Sequence, residues 1–263
     1  MWLNGIVVVA AAGNYAVGGA ESGVGFAPAN DPFVITVGAA DTNGTASASD
    51  DFAAPWSAWG STQDGFRKPE LAAPGRVLNG PVPKDSLMYT SNQGRRVADG
   101  YMWMSGTSFA APIVAGAAAT VISRHPDWTP DQVKGALMVS ASVPTGYNSL
   151  GALGVGTLNV AGATAANGLA NPNAGLNRFV VTDAVTKLKS FNADGWAATA
   201  ATDPTWNQAS WSSASWSSAS WSSASWSSAS WSSASWSSAS WSSASWSSAS
   251  WSSASWASMF PAQ

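Results

Sequence analysis

Cysteine is absent from the 263 residues, which excludes disulfides, thiolate metal ligands and a cysteine nucleophile together. Charge is scarce: 10% of the residues are Asp, Glu, Lys or Arg, against about a quarter in an ordinary soluble domain. With a net charge of −3 and no basic stripe, the chain lacks the electrostatic footprint of nucleic-acid binding. No run of 18 apolar residues occurs, so an ordinary membrane-spanning helix is not expected. No positive region precedes the first apolar stretch, so the opening does not read as a signal peptide. Histidine occurs once, at His125, which limits any chemistry that needs an imidazole base.

Against these absences stands one concentrated stretch. Ser108 follows Gly106-Thr107 and precedes a long run of Ala, Ile, Val and Gly from Phe109 to Ile122. Such a run predicts a helix apolar on nearly every side, hence buried, with Pro112 in its first turn and His125-Pro126 closing it. Ser108 then sits at a helix N-terminus, where free N–H groups and the helix dipole favour negative charge. Its own N–H could point at a developing oxyanion in acyl transfer. The plainer alternative is a serine that only caps the helix.

Upstream, Ile6 to Ala12 is a short, β-branched apolar run that reads as a buried strand of a parallel sheet. It delivers Gly13 and Asn14 to its carboxyl end, the edge where open α/β sheets build their sites. Taken alone, Asn14 is equally a loop asparagine. A chain that opens inside a buried strand is expected to be part of a longer one. Phe33 to Ala39 reads as a second buried strand. Thr129-Pro130-Asp131-Gln132 is a capping box with proline at the first helical position, and that helix is expected to run to about Ala141. Residues 154–160 are expected to form a closing strand. Beyond Ala161 come one strand-like piece, Arg178 to Thr182, and a short amphipathic piece, Asp183 to Phe191.

The string Gly-Thr-Ser-Phe-Ala-Ala-Pro-Ile-Val-Ala-Gly from Gly106 to Gly116 resembles the nucleophile segment of the subtilisin-like serine peptidases. It is not the Gly-x-Ser-x-Gly elbow of α/β-hydrolases, because Ala110 stands where the second glycine belongs. Val8 to Asn14 resembles the segment whose asparagine donates into the oxyanion hole in that family. The blocks at Phe33–Ala39, Trp56–Gly60 and Arg67–Gly75 are similar to further family segments, with Trp56 in place of the usual phenylalanine and Glu70 in place of the usual aspartate. The resemblance covers roughly residues 5 to 165. It implies an α/β fold: the C-terminal part of a subtilisin-like three-layer domain, with a parallel sheet and a buried central helix after the nucleophile. It also implies acyl-enzyme hydrolysis of polypeptides, with Ser108 as nucleophile and Asn14 with the Ser108 N–H as the oxyanion hole. Glu70 is expected to order the sheet edge beside the site, not to catalyse. No cofactor is read from the residues, and calcium is left open by the family alone.

Two thirds of a Ser-His-Asp triad are absent. A base must lie within hydrogen-bond reach of the serine oxygen. His125 lies 17 residues along the same helix from Ser108, about 25 Å at 1.5 Å per residue, and reads as a turn or C-cap residue. In the family the catalytic Asp and His come before the asparagine, in Asp-x-Gly and His-Gly-Thr contexts. The aspartates with a nearby glycine here, Asp41 and Asp64, fall after Asn14 in loops. By this reading the chain alone is inactive.

From Trp211 to Trp256, ten tryptophans recur every fifth residue in Trp-Ser-Ser-Ala-Ser units. A period of five fits neither a helix face nor a strand face. The segment reads as low-complexity sequence, or as a row of aromatic stickers for cell-wall glycan or self-association; a pentapeptide solenoid has no support. The expected organisation is thus a partial peptidase domain at 1–165, an extension or linker at 166–205 and a repeat tail at 206–263. A secreted or cell-surface setting is implied by the resemblance.

Overall fold

The computed structural model describes residues 1–63, 66–147 and 151–202; the repeat tail and the Asp64-Gly65 pair lie outside them. The chain opens with a 3₁₀ turn, Trp2–Asn4, and then lays down β1 (Val9–Ala11), β2 (Ile35–Asp41), β3 (Phe52–Ala53), β4 (Gly60–Ser61), β5 (Arg67–Lys68) and β6 (Leu71–Pro74). Next come β7 (Leu78–Pro81), α1 (Leu87–Ser91), β8 (Arg96–Ala98) and β9 (Tyr101–Met104), followed by α2 (Thr107–Arg124) and α3 (Pro130–Val139). The chain continues through α4 (Val160–Thr164), α5 (Ala174–Asn177), β10 (Val180–Thr182), β11 (Lys189–Phe191) and α6 (Ala193–Thr202).

The α/β architecture holds. In the main sheet, β2 is parallel to β1, with Val9 opposite Ile35, and parallel to β6, with Val37 opposite Leu71. β3 adds two antiparallel pairs to the end of β2. Alternate β2 residues face opposite sides of the sheet. Ile35 and Val37 join the cluster built by Ala110, Val114, Ala117 and Val121 of α2, whereas Thr36 turns the other way and its hydroxyl donates to Ala29 O. The small residues of α2 let its backbone come close to the strands. A second, antiparallel sheet places β9 between β7 and β8.

Several expectations are corrected. The strand at residues 6–12 is shorter, and the second strand starts at Ile35 and extends to Asp41. α2 begins at Thr107, so Pro112 is its sixth residue and not in the first turn; the missing N–H there removes the hydrogen bond that Ser108 C=O would otherwise accept. Nor is α2 buried all round. Ala110, Val114, Ala117 and Val121 face the sheet, while Pro112, Ile113, Ala115, Gly116, Ala119 and Ile122 are exposed, because the described elements cover one side of the helix only. The expected strand at 154–160 is a series of isolated bridges, Leu71 to Gly154 and Thr157 to both Ala72 and Ser142. Gly154 and Gly156, at φ 61° and 141°, bend the chain out of an extended path, and Val160 already belongs to α4.

The capping box of α3 is present in full: Thr129 accepts from Gln132 N and the Gln132 side chain accepts from Thr129 N. That helix ends at Val139, two residues short of expectation. Residues 180–191 form a hairpin, with Val180 paired to Phe191; its second strand replaces the amphipathic piece expected there. Leu176 and Trp196 lie in the same apolar cluster as Val114 and Leu137, so residues 174–196 contribute to the core under α2.

Candidate active site

The carboxyl ends of β1 and β6 converge on the first turn of α2. After β1, Ala12 N donates to Val37 O at 3.0 Å, and Ala58 N donates to Gly13 O at 2.9 Å, which fixes the chain just before Asn14. Gly13 has φ 113°, and a Cβ there would lie 2.3 Å from the Tyr15 ring. Only glycine fits that position. After β6, Gly75 N donates to Ala40 O and Gly106 N donates to Gly75 O at 2.8 Å, which seats the serine turn on the end of the sheet.

Asn14 and Thr107 join the two ends. Thr107 N donates to Asn14 Oδ1 at 2.9 Å and Thr107 Oγ1 donates to the same atom at 3.0 Å. In return, Thr107 Oγ1 accepts from Gly13 N at 3.1 Å. With Oδ1 occupied twice, the Asn14 amide nitrogen is left to face the serine turn, 3.4 Å from where a Gly106 Cβ would stand. Thr107 is buried, Asn14 half-buried and Ser108 exposed. Ser108 is the second residue of α2, so its N–H is among those the helix leaves without an internal acceptor. The arrangement brings a side-chain amide to the turn that carries Ser108, whose hydroxyl is exposed and whose helix-start N–H lacks an internal acceptor; groups of these kinds can attack a carbonyl and hold its oxyanion.

The base is not among the described residues near Ser108. His125 caps the far end of α2, where its Nε2 pairs with Thr164 O at 2.9 Å and its ring stacks on Trp128 at 3.8 Å. It serves as a structural C-cap residue. Among the described residues no group of three or more His, Cys, Asp or Glu is placed to hold a metal ion. No helix among them is long and apolar enough to cross a membrane.

A second polar centre escaped the sequence reading. Lys68, Glu70, Lys134 and Asn173 are buried together at the opposite, amino-terminal end of the parallel strands, beside a cleft of about 300 Å³. Glu70 Oε1 accepts from Lys68 Nζ at 2.6 Å and Lys134 Nζ at 2.8 Å, and Oε2 accepts from Thr36 N at 2.7 Å. Although burial opposes its charge, the two ammoniums beside it hold the Glu70 carboxyl below its ordinary value. Burial pushes the Lys68 ammonium down to about 8, against the partial counterweight of Glu70. Two signals could have revealed the centre: Lys68 and Glu70 two apart in an extended segment, hence on one face, and Lys134 alone in the apolar run Val133–Leu137. Glu70 does order the sheet edge, but at the end away from Ser108.

A family model described as the subtilase family matches residues 3–162. The chain is 44% identical over 133 residues to Serine protease AprX of Bacillus subtilis (strain 168), covering 51% of this chain and 29% of that protein. It is 36% identical over 160 residues to a subtilisin of Bacillus pumilus, covering 61% and 47%. Among solved structures it is similar to fervidolysin from Fervidobacterium pennivorans, described as a keratinolytic enzyme related to subtilisin, at 27% identity and TM-score 0.47, covering 62% of this chain and 23% of that one. The chain therefore spans less than half the length of these relatives.

Proposed function

Because the chain belongs to the subtilase family, we propose that it supplies the nucleophile and oxyanion hole of a secreted or cell-surface serine endopeptidase acting on polypeptides. Ser108 Oγ attacks the scissile carbonyl. The Ser108 N–H and Asn14 Nδ2 donate to the oxygen as it gains charge, and Thr107 holds the Asn14 amide in that orientation. The proton of Ser108 goes to a histidine other than His125, oriented by an aspartate; among the described residues neither stands near Ser108. On its own the chain turns over no peptide.

The observation that carries this reading is the double donation from Thr107 to Asn14 Oδ1. A backbone N–H can only donate, so the atom it meets is the oxygen, which leaves the amide nitrogen for another acceptor, 3.4 Å from where a Gly106 Cβ would stand. The test is casein hydrolysis by the protein isolated intact from its source, beside its Ser108→Ala and Asn14→Ala variants. Ser108→Ala should abolish turnover. Asn14→Ala should lower kcat by about 10²–10³ with little change in KM, a magnitude borrowed from removal of the equivalent donor in a subtilisin. Full activity in either variant would overturn the assignment.

The lack of a base near Ser108 among the described residues favours a second reading, an inactive scaffold whose tryptophan-rich tail binds glycan. Retention of the full chain on cell-wall polysaccharide, lost on truncation after residue 205, is its test; equal retention of both forms removes it.

A further inference from the structure

Asparagine is followed by glycine at four places: Asn4-Gly5, Asn43-Gly44, Asn79-Gly80 and Asn167-Gly168. Each pair sets a side-chain amide carbon beside a backbone nitrogen whose approach no side chain hinders. Closing a ring between them needs both groups free to move, and the fold treats the four pairs differently.

Three pairs are held. Asn4 Nδ2 donates to Lys189 O at 3.3 Å and Asn4 Oδ1 accepts from Lys189 N at 3.1 Å, while Gly5 N donates to Trp2 O at 3.0 Å. Asn79 and Gly80 lie in the β7 ladder opposite Trp103 and Met102, which fixes their backbone in an extended form. Asn167 Oδ1 accepts from Leu169 N at 3.1 Å. Gly168 is buried under Trp128, where a Cβ would lie 2.7 Å from the ring, and its carbonyl accepts from Gln132 Nε2 at 3.2 Å.

Asn43 and Gly44 are not held in this way. They are the central residues of the turn that Thr45 N closes on Thr42 O at 2.9 Å. Their φ angles of 52° and 71° are the left-handed pair that a type I′ turn demands. Gly44 N donates to no group among the described residues, and a Cβ on Gly44 would meet nothing within 4 Å. The Asn43 side-chain amide has one contact among them, from Nδ2 to Asp50 Oδ2 at 3.4 Å, long for a hydrogen bond. Residues 43–47 are all exposed, so the turn opens at little cost.

We propose that Asn43 is a self-modification site, which closes on Gly44 to a succinimide and hydrolyses to aspartate and isoaspartate ahead of the other three pairs. Gly44 N attacks Asn43 Cγ and forms a new C–N bond. The Cγ–Nδ2 bond breaks, and ammonia leaves with the proton that Gly44 N gives up. Water then opens the ring. Its addition at Cγ yields aspartate; its addition at the Asn43 backbone carbonyl carbon yields isoaspartate, with the chain running through the former side chain. Either product puts a new carboxylate beside Asp50 and beside Asp41, whose Oδ1 accepts from Asn43 N at 3.0 Å. The site is independent of Ser108 and of peptide hydrolysis.

The test is incubation of the full chain at mildly alkaline pH, folded and in urea, followed by peptide mass mapping. Cleavage before aspartate releases residues 41–49, with Asn43 as their only asparagine. Isoaspartate raises the mass of that peptide, and aspartate adds a cut before residue 43. In the folded chain Asn43 should convert faster than each of Asn4, Asn79 and Asn167 by about tenfold or more. In urea the four rates should draw together, and Gly44→Ala should slow conversion at residue 43 alone. Another pair converting first in the folded chain, or no conversion at residue 43, overturns the proposal. An equal lead in urea overturns it too, since the fold would then not select Asn43, and an unchanged rate in Gly44→Ala rules out attack by the Gly44 nitrogen.

Discussion

Asn14 Oδ1 accepts both the backbone N–H and the hydroxyl of Thr107, at 2.9 and 3.0 Å, across 93 residues of chain. The contact ties the end of β1 to the first turn of α2, and it makes Thr107 a positioning residue for the amide beside Ser108. The Thr107 hydroxyl works in both directions, since it also accepts from Gly13 N. Thr107→Val keeps the shape and deletes both hydroxyl contacts. In the intact peptidase it should lower kcat about tenfold, less than loss of the Asn14 donor itself, with KM nearly unchanged. Thr107→Ser should restore most of the rate. A change in KM alone would assign Thr107 to substrate binding instead.

The two sides of α2 should differ in mutational cost. Val114 is fully buried against the sheet, while Ile113 is 37% exposed on the other side of the helix. Val114→Ala should cost about 2 kcal/mol, from two lost methyl groups and the cavity they leave. Ile113→Ala should stay within about 0.5 kcal/mol. Urea unfolding of both variants checks this, and comparable losses would mean that the exposed side is covered in solution.

That contrast marks the limit of what the residues alone disclosed. Local composition located α2 and two of the three parallel strands, β1 and β2, because buried parallel strands and small-residue helices are rich in small and β-branched apolar residues. The capping box at Thr129 was legible for a similar reason: all its parts lie within four residues. The site was legible as a string, since Gly13-Asn14 and Gly106-Thr107-Ser108 are each contiguous. The hydrogen bonds joining them were not, because nothing local records a 93-residue pairing. The buried centre of Lys68, Glu70, Lys134 and Asn173 left only local hints, an alternating Lys-Glu pair and one lysine in an apolar run, because the contacts that join them span up to 64 residues of chain. The nearly all-round apolar α2 misled, because hydrophobicity records what a helix could bury, not what is there to bury it.

Trp196 tests how far the domain extends. It lies fully buried among the residues that pack under α2, beyond position 165 where the resemblance ends. Trp196→Ala should lower stability by about 3–5 kcal/mol, and truncation after residue 165 by at least as much. If truncation leaves the urea midpoint unchanged, residues 174–202 are an appendage that folds on the surface without supporting the core.

Lys68 gives the buried centre a signature in pH. Desolvation pulls its ammonium from 10.5 down to about 8; Glu70 pulls it part of the way back, and Lys134 on α3 adds to the fall. Asp31, in the loop before β2, also faces it and favours the charged form. Between about 8 and 10.5 the unfolded chain therefore keeps a proton that the folded chain has released. Stability rises with pH wherever the unfolded state binds more protons, so the Lys68 contribution should grow on going from pH 8 toward 10.5. Glu70, held below its ordinary 4.5, stays ionised throughout and adds no slope. Tyr15 and Tyr147, whose hydroxyls burial pushes above 10, act in the opposite sense above that pH, so the clean window is about 8 to 10. Urea midpoints should climb across it in the parent chain and stay level in Lys68→Met. A parallel climb in the variant would show that another group carries the slope, and that Lys68 keeps its proton by drawing on Glu70 more strongly than burial opposes it.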